Sequence, residues 1–401
     1  IYNWEEEIHK FVPEIKTRIV MGNKTIRHEL IEAIEDNEVI ITSYGSLKRD
    51  LAVYTTEFDC CFIDEAQHIK NPRSQNARAV KSIAAKYRFA LTGTPIENTL
   101  TELWSIFDYI LPGYLDSHER FVKDFEKPII KDNDMDLLNR LTQLIQPFIL
   151  RRLKEDVLSE LPPKIETKVS VELNSHQKKL YMAYVQQAKS DITGYTGLPD
   201  GQKNMKVLSV LTRLRQLCCH PSLFVDDYKH GSSKLELLLE LIDESIEGGH
   251  RVLVFSQFTS MLKLVREAFE HRHINYHYLD GSVPPIKRQQ MVHDFNTGIH
   301  EVFLISLKAG GTGLNLTGAD VVIHYDPWWN PAVENQATDR AYRIGQRNRV
   351  QVYKLITAGT IEEKIYQLQK KKMNLIDNVI KPGETFLNKL SMNELQSLFM
   401  D

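Results

Sequence analysis

"FDCCFIDEAQHI" occupies Phe58 to Ile69. Six mostly apolar residues lead without a break into two adjacent carboxylates, Asp64 and Glu65. The first six read as a short sheet strand. Acids placed directly on a strand end suit a metal-dependent reaction better than they suit a solvated loop. Two neighbouring segments repeat the arrangement. "NEVIITSY" (37–44) reads as a strand running into a polar turn, and "YRFALT" (87–92) as a strand ending at "TGTP". A helical pattern fills Ala77 to Ala85. Strand and helix in alternation predict a parallel sheet with helices on its faces. Ligands of such a sheet lie outside the carboxyl ends of its strands. Thr42, Asp64 and Thr92 all fall at such ends.

The rhythm breaks between about Thr99 and Phe224. "ELWSIFDYILP" and "SHQKKLYMAYVQQAKSDI" are amphipathic helical segments. "LKEDVLSELPPK" reads as a connector, and "TGYTGLPDGQKN" (Thr193 to Asn204) as a Gly/Pro-rich turn region between helices. A second alternating block starts near Ser233. "KLELLLELIDESIE" and "MLKLVREAFEHR" predict helices, while "RVLVFS", "NYHYLDG", "VFLISL" and "DVVIHYD" predict strands. The expected fold class is α/β: two parallel-sheet lobes with helical insertions between them. The tail "TIEEKIYQLQKKKMNLIDNVI" reads as a helix, and the last twenty residues as peripheral.

The bulk properties agree. A chain of 401 residues is too long for one ordinary core, so two or three domains are expected. No apolar run reaches the length of a membrane span. The start, "IYNWEEEIHK", is acidic, amphipathic and without an initiating Met. It reads as the interior of a longer chain and not as a signal peptide. Cys60, Cys61, Cys218 and Cys219 form two adjacent pairs, a pattern that fits no secreted disulfide framework. An intracellular compartment is expected. "CCHP" (Cys218 to Pro221) has the wrong spacing for zinc. The net charge of -3 does not announce a nucleic-acid binder, which would need its positive charge gathered in a cleft.

Several residues could carry chemistry. At a strand end Asp64 can hold Mg²⁺ through water while Glu65 orients or deprotonates an attacking water. The pair reads equally as the capped start of a helix. In "LTGTPIEN", Thr92 and Thr94 present hydroxyls on a tight turn, which is also what an ordinary turn before a helix would show. "SLKAGGTGLNLTGAD" places Gly310, Gly311 and Gly313 after a strand, where backbone N–H groups can approach phosphate, with Lys308 beside them. In "QATDRAYRIGQ" a continuous helix would put Gln336, Arg340 and Arg343 on one face. Two such arginines can neutralise a γ-phosphate, or they can be a solvated helix face paired with Asp339. "DPWWNP" offers Trp328 and Trp329, of which Trp329 is the better candidate for stacking on nucleic acid and the other for packing.

No single piece decides; their order does. DEAQ, TGTP, "RVLVFSQF", "SLKAGGTGLNL" and "QATDRAYRIGQ" follow one another as in the superfamily-two helicase motor. More narrowly the chain resembles the Swi/Snf-type chromatin-remodelling ATPases, bacterial members included. "LTGTPIENTLTELWSIFDYILPGYL", "FILRRLKEDVLSELPPK", "LRQLCCHP", "DPWWNPAVENQATDRAYRIGQ" and "GTIEEKI" all look like that family's blocks, over about Trp4 to Lys372. The resemblance implies two RecA-like lobes and ATP-driven translocation on double-stranded DNA without strand separation. It implies ATP and Mg²⁺ as cofactors. Asp64 would bind the metal, Asp64 and Glu65 with Arg340 and Arg343 would be catalytic, and Gln67, Thr92, Thr94, Gly311, Gly313 and Gln336 would contact or sense nucleotide. Thr42, Tyr44, Lys308 and Trp329 would lie along the DNA. Further partners would be DNA-bound proteins or RNA polymerase, with no membrane, in the cytoplasm or nucleoid of a bacterium or the nucleus of a eukaryote. The helix near Ile361 would brace the lobes.

Against that family the chain departs in three places. None of its 19 glycines is followed by Lys, so the Gly-Lys-Thr/Ser phosphate loop is absent from these residues. "NWEEEIHKF" resembles the block just downstream of that loop, so the chain is expected to start inside a first lobe that is N-terminally truncated. Alone it is expected not to hydrolyse ATP. Gln67 stands where many members have His, and Leu307-Lys308 where Thr-Arg is common. The expected organisation is the rest of lobe 1 with a helical protrusion over 1–155, a linker and second protrusion over 156–232, lobe 2 over 233–375 and a tail over 376–401. A second function remains open at this stage: a non-catalytic nucleic-acid- or protein-binding module that keeps the motor shape, distinguishable by duplex binding that ignores nucleotide.

Overall fold

Among the described residues, ten strands, all in parallel pairings, organise the fold. The computed structural model describes the chain outside residues 94–98, 133, 153, 155–157, 159, 195–199, 311–312 and 380–401. For 192–194, 200–201, 203–204 and 371–379 it gives the backbone alone. Two compact units divide the described residues, one formed by Ile1–Ile149 with residues 375–379 and the other by Leu150–Asn374.

In the first unit β1 (Lys16–Ile19) pairs with β2 (Glu38–Ile41), and β3 (Phe58–Ile63) with β4 (Ala85–Ala90). The two pairs form separate two-stranded sheets. One face of β3 and β4 is closed by Ile69, Ala77, Val80, Ile106 and Tyr109, and the Tyr109 hydroxyl donates to the Cys61 carbonyl at 2.9 Å. The helix Leu100–Ile110 is apolar nearly all round, which requires burial on more than one side. Ile106 and Tyr109 face the strands, while Leu103, Trp104 and Phe107 enter a second cluster with Phe121, Ile129, Leu138 and Leu141.

The second unit holds one six-stranded sheet in the order β5 (Lys164–Val171), β10 (Val350–Thr357), β9 (Val321–His324), β6 (Val252–Ser256), β8 (Val302–Ser306), β7 (Tyr276–Leu279). β6, β8 and β9 are buried throughout, as central parallel strands covered on both faces must be, and so they read as unbroken apolar runs. Alternate side chains divide between two cores. Val252, Val254, Val302, Leu304, Val321 and Ile323 meet the helices Ser233–Glu247 and Thr259–Arg272. Leu253, Phe255, Phe303, Ile305 and Val322 pack on the opposite side with Phe295, Leu316 and Ala337.

The 156–232 segment does not stand apart from this sheet. β5 pairs with β10 over its full length, from Lys164 opposite Val350 to Val171 opposite Thr357. Two twenty-residue helices, Ser175–Gly194 and Asp200–Cys219, then pack on one another and on Ile361 and Ile365 of the helix Ile361–Val379. Asp200–Asn204, expected in a turn, already belongs to the second of these helices. The last twenty residues lie outside the described residues.

Candidate functional site

The acids sit where the parallel strands deliver them. The Ile63 carbonyl accepts from Leu91 N–H at 2.8 Å, and Ala66 N–H donates to the Leu91 carbonyl at 2.9 Å. These two rungs clamp the Asp64–Glu65 turn against the strand end that carries Thr92. Glu65 has φ 51° and ψ 54°, the left-handed region, which is uncommon for a side chain of this kind. Holding it there costs on the order of 1–3 kcal/mol, a cost met where surrounding bonds over-determine the turn. The reversal turns the chain into a short 3₁₀ segment, Ala66–Ile69.

A line of hydrogen bonds links the two strand ends. Thr92 Oγ1 donates to Gln67 Oε1 at 3.0 Å, and Gln67 Nε2 donates to Glu65 Oε2 at 2.6 Å. The amide of Gln67 uses its acceptor on one side and its donor on the other, so Thr92 and Glu65 are coupled through a single planar group. Asp64 is exposed and separately held. Its Oδ1 accepts from Glu65 N–H at 2.8 Å, its Oδ2 accepts from the Trp4 indole at 3.0 Å, and its backbone carbonyl accepts from the Tyr44 hydroxyl at 2.8 Å. Burial first, then the charges of Asp64 and Glu65, push the Tyr44 phenol far above its ordinary value, so it remains a donor. Thr42 is half-buried and donates to the Val20 carbonyl at 3.4 Å. Thr94 lies outside the described residues.

This arrangement can accommodate Mg²⁺ in one way. Among the described residues no group of three or more His, Cys, Asp or Glu side chains could form a protein cage for a metal ion. Mg²⁺ retains much of its water and, beside phosphates, needs only one or two carboxylates. The exposed Asp64, with lone pairs beyond those its two donors use, fits that role, and Glu65 stands next to it.

In the second unit the structure separates residues that sequence spacing placed on one helix. The helix Pro331–Thr338 carries Gln336 but stops before Arg340 and Arg343, which lie in turns. The cause is capture of the following segment by other elements. Leu316 N–H donates to the Arg340 carbonyl at 2.9 Å, and Arg343 Nη1 reaches the Leu314 carbonyl at 3.4 Å. Gln346, nearly buried, donates to the carbonyls of Ala319 (2.7 Å), Ala341 (3.1 Å) and Thr317 (3.2 Å) and accepts from Arg347 and Asn348 N–H. The backbone of this segment is thus paired with Leu316 N–H and the Gln346 side chain instead of continuing the helical ladder. Arg343 is half-buried and Arg340 is 9% exposed.

Lys308 is exposed on a four-residue helix, Leu307–Gly310, directly after β8. Gly310 packs so closely on Phe255 that a Cβ would stand 2.6 Å from its ring. Gly311 lies outside the described residues, and Gly313 has φ 35°. Trp329 is half-buried against the helical cluster containing Tyr181, Leu214 and Ile361. Trp328 and Trp329 stand 5.5 and 5.6 Å from the Arg215 guanidinium, which Phe258 also faces at 5.5 Å. Arg215 pairs with Asp326 at 3.3 Å and donates to the Pro327 carbonyl. Sequence reasoning overlooked Trp4, Arg215 and Gln346 as individuals. Each acts across a long sequence separation, and no periodicity encodes such a pairing.

Comparison with known proteins now adds a family. The SNF2-related domain matches residues 1–223, and the helicase conserved C-terminal domain matches residues 233–345. YwqA of Bacillus subtilis is 40% identical over 407 aligned residues, covering 99% of this chain and 44% of its own length. A Mycoplasma pneumoniae protein described as an uncharacterized ATP-dependent helicase is 40% identical over 100% of this chain and 38% of its own. MOT1 of Saccharomyces cerevisiae, a TATA-binding protein-associated factor, is 37% identical over 99% of this chain and 24% of its own. The Sulfolobus solfataricus SWI2/SNF2 ATPase core solved with dsDNA aligns over 99% of this chain and 84% of its own at 37% identity, with a TM-score of 0.49. This chain thus spans less than half the length of these curated relatives. It belongs to the SNF2-related family. No helix among the described residues is long and apolar enough to cross a membrane.

Proposed function

We propose that this chain is the greater part of an ATP-driven motor that moves along double-stranded DNA without separating its strands. The observation that carries the reading is the Thr92–Gln67–Glu65 line, which ties the loop at one strand end to an acid at the next. A motor needs such a link, because a change in the state of the nucleotide must be felt by a second loop. Glu65 takes the proton of the attacking water at its carboxylate, and Asp64 supplies the protein ligand for Mg²⁺. Mg²⁺, when bound, neutralises charge on the phosphoryl oxygens. Arg340 and Arg343 supply further positive charge for the transition state, and Gln336, Thr94, Gly311 and Gly313 contact the nucleotide. Lys308, with Thr42, Tyr44 and Trp329, serves the DNA. Tyr44 touches the Asp64 carbonyl, so a duplex bound at Tyr44 would press on the acid pair.

The 401 residues contain no Gly-Lys pair to cradle β- and γ-phosphates, and alone they turn over ATP slowly. The test therefore uses the full-length polypeptide. Duplex DNA should stimulate its ATPase more than single-stranded DNA or RNA does. Glu65→Gln should bind ATP and fail to hydrolyse it, and Arg343→Ala should lose on the order of 10³–10⁵ in rate. Near-normal turnover in Glu65→Gln would remove the assignment. Salt-sensitive duplex binding with no response to nucleotide and no ATPase would favour a non-catalytic binding module instead.

A further inference from the structure

The reading above gives Asp64 a metal but does not say what fixes its carboxylate. An exposed aspartate on a turn samples several rotamers, and a metal ligand that must be ordered on binding binds more weakly. The structure offers a device. The helix Tyr2–Phe11 is anchored on β1 by Thr17, whose hydroxyl contacts Glu5 Oε1 at 3.2 Å and His9 Nε2 at 3.1 Å. From this anchored helix Trp4 extends its indole N–H to Asp64 Oδ2 at 3.0 Å, sixty positions along the chain. Asp64 Oδ1 is met by Glu65 N–H at 2.8 Å. The two donors grip the two oxygens of one carboxylate and so define its plane. Each oxygen keeps another lone pair for a ligand or a metal-bound water.

We infer that Trp4 is a positioning residue for the metal-binding carboxylate: its indole holds Asp64 in the orientation that receives a divalent cation. The inference rests on the metal role proposed for Asp64. Trp4 is 42% exposed and contributes little to a core, so a purely structural reason for its placement is weak.

The test uses Mn²⁺ alone as a paramagnetic probe on the 401-residue chain, read by NMR. Four tryptophans give four indole N–H signals, and the one missing in Trp4→Phe identifies Trp4. In the unaltered chain Mn²⁺ should broaden the Trp4 indole and the Glu65 and Ala66 amides ahead of the other three indoles. Asp64→Asn should abolish that selectivity. Trp4→Phe keeps the ring and loses the donor; titrating its Glu65 and Ala66 amides should show Mn²⁺ affinity weakened about 3- to 10-fold, the scale of one hydrogen bond to a charged group discounted for exposure. Unshifted Trp104, Trp328 and Trp329 signals would certify that Trp4→Phe is folded; if they move, Trp4→Gln, which restores an N–H donor without adding an imidazole ligand, replaces it and should recover affinity. Unchanged or tighter Mn²⁺ binding in folded Trp4→Phe, with Asp64→Asn still abolishing the effect, would overturn the positioning role. Binding insensitive to Asp64→Asn would instead overturn the metal role on which it rests.

Discussion

Replacing Arg215 by Met should unfold the second unit far more readily than any surface change. Arg215 is 2% exposed and is held by Asp326 Oδ2 at 3.3 Å, by the Pro327 carbonyl and by the faces of Phe258, Trp328 and Trp329. Asp326 is 3% exposed, and its Oδ1 accepts from Ser256 at 2.5 Å and from Gln257 N–H at 3.3 Å. Burial raises the Asp326 carboxyl above its ordinary value, and Arg215 is the chief influence pulling it back. Removing the guanidinium leaves a buried carboxylate without its main counter-charge. Breaking a buried pair from one side costs roughly 3–5 kcal/mol, and the lost cation–π contacts add to it. The expected cost is about 4 kcal/mol, close to a thousandfold in the folded-to-unfolded ratio.

The same geometry fixes the pH dependence. An acid whose folded value lies above its unfolded one holds its proton longer in the folded state. Its stability is then greatest at low pH and declines as pH rises from the unfolded value through the folded one. Without Arg215 the folded value rises further, so Arg215→Met should cost less at pH 5 than at pH 8. Urea unfolding followed by tryptophan fluorescence at the two pH values measures both effects. Arg215→Met with Asp326→Asn removes both charges and should recover at least half of the loss at pH 8. A cost below about 1 kcal/mol, or a double variant no better than the single one, would refute the argument that burial without a partner is what destabilises.

Three other outcomes follow from separate contacts. Gly310→Ala would set a methyl 2.6 Å from the Phe255 ring in a packed core and should lower stability by about 1–3 kcal/mol in the same assay. Burial, helped by Lys354, holds the His324 imidazole down at about 3, so its contribution is complete above the unfolded value of 6.5 and is lost as pH falls toward 3. His324→Gln should therefore flatten the stability–pH profile between pH 6.5 and 5, where the unaltered chain loses up to about 1.4 kcal/mol per pH unit. Gln67→Ala in the full-length polypeptide cuts the line from Thr92 to Glu65; it should leave ATP binding intact and slow DNA-stimulated hydrolysis by about 10- to 100-fold, as loss of an orienting partner typically does.

The sheet strands that the sequence shows best are unbroken, mostly apolar runs, whether buried throughout like β6, β8 and β9 or partly exposed like β3. "FDCCFI" is β3 residue for residue, and "RVLVFS", "VFLISL" and "DVVIHYD" each contain their strand within two residues at either end. Three strands escaped notice for one reason. "KTRI" (Lys16–Ile19) and "KIETKVSV" (Lys164–Val171) carry charge at alternate positions and acquire strand character only from their partners, β2 and β10. "VQVYKLIT" (Val350–Thr357) is deeply buried yet contains Lys354, which is neutralised by Glu166 at 3.0 Å and Glu334 at 3.6 Å. A lysine in a core strand reads as a surface signal until its two acids are located, and they lie on other elements.

The candidate site divides in the same way. Asp64, Glu65 and Thr92 are legible because strand ends in a parallel sheet are where its chemistry gathers, and a strand end is a local feature. Gln67 is legible as a residue but not as a bridge, since its two partners, Glu65 and Thr92, are brought together only by the β3–β4 pairing. The helix predicted through Gln336, Arg340 and Arg343 fails at the opposite limit. Its local pattern favours a helix, but Gln346 and Leu316 claim the carbonyls of Ala341 and Arg340 from outside it. Local propensity yields wherever a buried side chain takes backbone partners from a segment, because an unpaired buried amide costs more than the few tenths of a kcal/mol per residue that propensity supplies. Arginines carried on turns move with the loops that hold them rather than with a rigid helix. Leu314 and Leu316 hold those turns through their backbone groups.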